Sequence, residues 1–157
     1  VIRSKTAKLF EASARLGAVL AGSPTHIEEA CATYGQALGT AFQIIDDVLD
    51  YDGNAAEMGK NLGDDLREGK ATLPLIAAMA RGTPEQAQII RSAIEEGSTE
   101  QLTNIIGIVK QTGALQIARK AASDEAHRAI AAIAALPQTA HTEGMRALAN
   151  QLTERRA

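Results

Sequence analysis

Cysteine is nearly absent from the chain: Cys31 is the only one among 157 residues. An internal disulfide framework and a cysteine-based zinc site are therefore excluded. Tryptophan is missing and aromatics make up only 3%. Positive charge is scarce too. Lys and Arg sum to 16 against 19 Asp and Glu, a formal net charge of −3. No cationic surplus is available to neutralise phosphates along a duplex, which argues against nucleic-acid binding as the main activity. No apolar run approaches the roughly 18 residues of a membrane span. The expected compartment is a reducing cytoplasm.

Alanine is plentiful, at 31 positions, with Leu and Ile supplying most of the remaining apolar bulk. With so few aromatics and no Val/Thr-rich alternation, the composition predicts packed helices, an all-α fold. Apolar periodicity and punctuation divide the chain accordingly. A helix is expected over 2–20, stopped by Gly22-Ser23-Pro24. A second follows from about 25 to 51, opened by a Thr25/Glu28 capping box. In it, Gly35 and Gly39 suit a face where another helix packs closely. Residues 52–70, with four glycines and mixed charge, read as an ordered functional loop with a short helical turn. Further helices are expected over 71–81, 84–96, 99–111, from Gly113 to just before Pro137, and over 142–154. Thr83/Gln86 and Ser98/Gln101 read as two more capping boxes. No internal repeat or linker is evident, so residues 1–157 are expected to form a single domain or a piece of one. His26, His127 and His141 are expected on the surface, and Cys31 in the core.

The most informative stretch is Phe42–Tyr51, FQIIDDVLDY. On a helix, Gln43, Asp46, Asp47 and Asp50 fall at i, i+3, i+4 and i+7 and share one stripe, with apolar residues over the rest of the circumference. Carboxylates one turn apart repel each other, so something cationic must offset them. Carboxylates on a rigid element with positions left for water and ligand oxygens suit Mg²⁺ that also holds a phosphate. A charged surface patch, or an acid cluster paired structurally with lysines, is the alternative. An EF-hand beginning at Asp50 fails, because Ala55 holds the glycine position and Asn61 the bidentate glutamate position. A di-iron bundle would need Glu-x-x-His pairs, and there are none. Lys60 and Lys70 each follow a glycine, and Lys5-Thr6 lies upstream. Lysines can hold phosphate oxygens, and a metal together with lysines is what a diphosphate leaving group needs.

The stretch Gly39–Tyr51, followed by Gly59-Lys60 and by Gly63–Pro74 (GDDLREGKATLP), resembles the second aspartate-rich region of the trans-prenyl diphosphate synthases. Lys5-Thr6-Ala7 resembles that family's Lys-Thr motif. The segment Gly82–Ala87 and its flanks are similar to the octaprenyl branch. The terpene cyclases share the fold, but their Asn/Asp-x-x-Ser-x-x-x-Glu motif is not present.

The resemblance implies the C-terminal part of the isoprenoid-synthase helical bundle. It implies a Mg²⁺-dependent prenyltransferase that joins isopentenyl diphosphate head-to-tail to an allylic prenyl diphosphate, assembled as a homodimer. Asp46, Asp47 and Asp50 are then metal-site and catalytic residues, with Asp64 near the metal-bound waters. Lys5, Thr6, Gln43, Lys60 and Lys70 hold the allylic diphosphate, with Lys60 also counted as catalytic. The family's first Asp-Asp-x-x-Asp motif and its paired arginines have no counterpart in these residues. The chain is therefore expected to be the C-terminal half of a synthase, inactive alone, with the apolar sides of residues 36–51 uncovered. A non-catalytic regulatory helical subunit and a free-standing helical interaction module are the rival readings.

Overall fold

A computed structural model describes the backbone of residues 2–52 and 62–154 and the side chains of 6–52 and 62–153. Eight α-helices occur among the described residues, with no strand: α1 (Ile2–Leu20), α2 (Thr25–Leu49), α3 (Asp64–Arg67), α4 (Leu73–Arg81), α5 (Pro84–Glu96), α6 (Leu102–Gln111), α7 (Ala114–Ala132) and α8 (Ala140–Glu154). A 3₁₀ turn, Ile133–Ala135, extends α7. The described residues divide into two compact units. One comprises residues up to Ile45 with those from Ala121 on, and the other Asp46–Lys120.

In the first unit, α1 and α2 approach closely. A Cβ on Gly35 would lie 2.3 Å from the Phe10 carbonyl oxygen, and one on Gly39 would lie 2.8 Å from Ala7 Cα. The two glycines let backbone meet backbone, as their spacing predicts. Beside this seam the Phe10 and Phe42 rings lie 5.8 Å apart. Ala122, Ala126 and Ala129 are buried along α7, and Arg128 donates to Gln36 of α2 at 3.3 Å. Tyr34 is buried and donates its hydroxyl to the Met145 carbonyl of α8 at 2.9 Å.

The stripe Leu9, Leu16, Val19, Leu20 on α1 faces outward, with Leu9 69% and Leu20 79% exposed. By contrast Ala37, Leu38, Ala41, Ile44, Ile45, Val48 and Leu49 of α2 are all buried. The uncovered apolar surface expected over residues 36–51 is therefore found on α1 instead. Small residues, Ala7 against Gly39, decide which side of α1 goes inward, because they permit the closer contact.

The second unit is closed by short helices around Leu66, Leu75, Ile90, Ile105 and Val109, all fully buried. Thr83 and Gln86 form the expected reciprocal capping box at the start of α5. The box expected at Ser98 does not form. Ser98 accepts from the Glu100 N–H two residues on, a local turn that delays α6 to Leu102. Thr25 is already inside α2, where the Ile27 and Glu28 N–H groups bond the Pro24 carbonyl. The last helix starts two residues before expectation because Thr139 and Thr142 cap each other reciprocally, side chain to backbone N–H. His26, His127 and His141 are exposed and Cys31 is buried.

Candidate diphosphate and metal site

Thr6 and Gln43, 37 residues apart in sequence, meet in the first unit. The Thr6 hydroxyl donates to Gln43 Oε1 at 2.8 Å across the α1–α2 seam. The glycines that bring the helices together thereby place two of the expected diphosphate-binding side chains side by side. The bond also orients the Gln43 amide, with its NH₂ group turned from Thr6. The side chain of Lys5, one residue before Thr6, lies outside the described residues, and so does all of Lys60.

The remaining candidates belong to the second unit. Asp46 and Asp47 occupy the last turn of α2, the former half-buried and the latter only 3% exposed. The helix ends at Leu49, so Asp50 sits on the turn that follows, its N–H still bonded to the Asp46 carbonyl at 3.3 Å. Its carboxylate does not simply extend the stripe. It turns to accept the Asp65 backbone N–H at 3.1 Å, tying the end of α2 to the start of α3. Burial pushes the Asp50 pKa up, and the neighbouring Asp65 and Asp64 carboxylates add to this against the backbone N–H bonds that lower it.

The resemblance implies a place for Asp64 near the metal-bound waters and does not single out Asp65. In the structure Asp64 is exposed and paired with Arg67 on its own helix. Asp65 is the aspartate of that pair turned inward, its side chain 14% exposed and 2.8 Å from the Lys70 ammonium. Asp64 reaches Arg67 at i+3, which leaves its neighbour for the other side.

Lys70 lies between Asp65 at 2.8 Å and Glu68 at 2.7 Å. Hydrogen bonds to these two carboxylates raise its pKa well above the usual lysine value. The preceding glycine has a structural task. Gly69, at φ 66°, closes α3, with Gly69 N–H bonded to Leu66 and Lys70 N–H to the Asp65 carbonyl. Gly63, at φ 80°, enters α3 where a Cβ would strike Leu102 at 2.8 Å.

Tyr51 is fully buried. Burial first, and then the charges of Asp50, Asp65 and Asp47, drive its pKa far above the ordinary phenol value. The hydroxyl of buried Thr72 beside it works against that rise. Asp52 pairs with Arg119 of α7, a contact between residues 67 apart that no sequence signal indicated.

Among the described residues no three His, Cys, Asp or Glu side chains converge to hold a metal ion. Mg²⁺ does not require such a cage. It binds through one or two carboxylates and completes its octahedron with water and phosphate oxygens. Adjacent Asp46 and Asp47 and, one turn further on, Asp50 supply hard oxygen donors of that kind, with Asp65 of α3 tied to Asp50 through its backbone N–H. The residues fit the ion.

The all-helical packing of the described residues is that of the isoprenoid-synthase fold, as comparison with solved structures shows. The polyprenyl synthase from Caulobacter crescentus, crystallised with calcium and isoprenyl diphosphate, superposes with a TM-score of 0.90 at 43% identity, covering 99% of this chain and 48% of that one. The model of the polyprenyl synthetase family matches residues 1–110, and the chain belongs to that family. It is 49% identical over 156 residues to the octaprenyl diphosphate synthase of Escherichia coli K12, covering 99% of this chain and 48% of that protein. It is 45% identical over 145 residues to an all-trans-nonaprenyl-diphosphate synthase of Rhodobacter capsulatus, covering 92% and 44%. The chain spans about half the length of the curated relatives it matches.

Proposed function

We propose that the full-length protein containing this chain is a long-chain polyprenyl diphosphate synthase, of octaprenyl type. It would condense isopentenyl diphosphate head-to-tail with an allylic prenyl diphosphate. The observation that carries this reading is the Thr6–Gln43 hydrogen bond, which pairs the hydroxyl of the Lys-Thr motif with the glutamine one turn before Asp46 and Asp47. In this reading Thr6 and Gln43 orient the allylic diphosphate, and Lys5, Lys60 and Lys70 supply positive charge to it. Lys70 is protonated at neutral pH like any lysine, and its pairing with Asp65 and Glu68 favours that charge further. In this reading segment 52–70 is a functional segment that serves the diphosphate.

Asp46, Asp47 and Asp50 would hold Mg²⁺, with Asp64 near its bound waters and Asp65, half-buried beside Lys70, in support. Bound Mg²⁺ would supply charge stabilisation to the departing diphosphate. Calcium and isoprenyl diphosphate in the C. crescentus relative support a site that accepts a divalent cation and a prenyl diphosphate. We place the enzyme in the cytoplasm, as a homodimer. Cys31, the one cysteine among these 157 residues, is a free buried thiol, in keeping with a reducing compartment.

The test is incubation of the full-length protein with an allylic diphosphate and labelled isopentenyl diphosphate, with and without Mg²⁺. Long-chain prenyl diphosphates are expected only with Mg²⁺. No condensation under either condition would overturn the reading.

A further inference from the structure

Four carboxylates fall within residues 46–52, and the last of them, Asp52, is held by an arginine from a distant part of the chain. Arg119 donates to Asp52 Oδ2, with the arginine side chain 32% and the aspartate 27% exposed. Asp52 is bound to the acidic turn through its backbone as well. Its N–H bonds the Val48 carbonyl at 3.0 Å, the acceptor that also takes the Tyr51 N–H at 3.1 Å. Asp50 and Tyr51 therefore lie between two fixed points, the last turn of α2 and the guanidinium of α7.

A half-buried carboxylate that loses its partner keeps its charge but not its compensation, and it turns toward the nearest available cation. A divalent ion held by the aspartates of the same turn would be such a cation. Arginine suits the holding task better than lysine, because its planar fork fixes the direction of the carboxylate as well as its charge.

We infer that Arg119 is a positioning residue for the metal-binding turn. It withholds Asp52 from the metal's donor set and fixes the turn that presents Asp46, Asp47 and Asp50. The inference rests on the proposed prenyl-synthase reading for its catalytic consequence, but not for its metal-binding consequence.

The experiment uses the full-length protein and Mn²⁺ as a spectroscopic probe, with bound and free ion separated by electron paramagnetic resonance in the absence of substrate. Arg119→Ala frees Asp52 and should tighten Mn²⁺ binding about fivefold, the scale of one added neighbouring charge in a solvated setting. Adding Asp52→Asn to that variant should return the affinity to the wild-type value. In steady-state assays Arg119→Ala should lower kcat by about ten- to a hundredfold, the cost of misplaced reacting groups. Its KM for isopentenyl diphosphate should stay within about twofold. Arg119→Lys retains the charge and serves if Arg119→Ala does not fold, and it should recover Mn²⁺ affinity but only part of kcat. Wild-type Mn²⁺ affinity in Arg119→Ala, or a fall in melting temperature as its only change, would overturn the inference. Absence of divalent-dependent turnover in the wild type would instead overturn the proposed function, leaving the Mn²⁺ comparison to decide the role of Arg119.

Discussion

Asp46 and Asp50 lie one helical turn apart, yet the structure gives them different surroundings and so different responses to substitution. Asp46→Ala should lower turnover of the full-length enzyme by about two orders of magnitude or more, the scale for losing charge stabilisation of a leaving group. Because it also relieves repulsion from Asp47, it should cost little stability. A thermal melt beside the rate measurement checks both, and unfolding without a specific rate effect would favour a structural role for the acids. Asp50 carries a cost at neutral pH. Its pKa is raised in the fold, so over the window just above the ordinary aspartate value the folded state holds a proton that the unfolded chain has released. Stability from this group is present at low pH and is lost as pH rises through that window. Asp50→Asn keeps an oxygen to accept the Asp65 N–H and removes the charge. At neutral pH it should melt at a higher temperature than the wild type, the two converging in acid. A wild-type melting temperature at pH 7 in the Asn variant would refute this account.

At the scale of elements, most of the helices are legible in the sequence because their punctuation is local. Gly22-Ser23-Pro24, Thr83-Pro84 and Gly113 each end or begin a helix through their own backbone chemistry. The errors arise where two local signals compete. Ser98 offers its hydroxyl to the N–H two residues on and to the one three residues on, and the nearer wins. Thr139 and Thr142 cap each other although neither has the Glu or Gln partner of a regular box. The inward side of α1 was not legible, since Leu and Val periodicity gives a helix without saying which side a neighbour will choose. Which of Asp64 and Asp65 turns inward on α3 was equally illegible, and the Arg119–Asp52 pair lies too far apart in sequence to show there at all. Glycine pairs give a direct test of the α1–α2 seam. Gly35→Ala puts a methyl 2.3 Å from a backbone oxygen that no rotamer change can move. The clash should outweigh the roughly 1 kcal/mol of helix propensity gained, for a net loss of about 2 kcal/mol. Gly17→Ala meets nothing within 4 Å and should be stabilising by up to about 1 kcal/mol. Denaturant titration of the two variants should give opposite signs.

For the molecule as a whole, a single acidic turn sets what the 157 residues can do without further chain. One set of carboxylates compensates only part of a departing diphosphate's charge, and each few kcal/mol left unsupplied costs about two to three orders of magnitude in rate. The purified 157-residue chain should give no detectable Mg²⁺-dependent prenyl transfer, and steady product formation would contradict that. The outward Leu9, Leu16, Val19 and Leu20 should make it bind a hydrophobic dye and self-associate. Leu20→Glu should reduce both effects, as light scattering would show. The two buried tyrosines have a consequence of another kind. With no tryptophan to dominate the emission, Tyr34 reports on one compact unit and Tyr51 on the other. Tyr34→Phe therefore leaves an ultraviolet signal that follows the second unit alone, and Tyr51→Phe one that follows the first. The chain carries its own pair of optical probes, one to a unit, and needs no attached label for each half's unfolding to be followed separately.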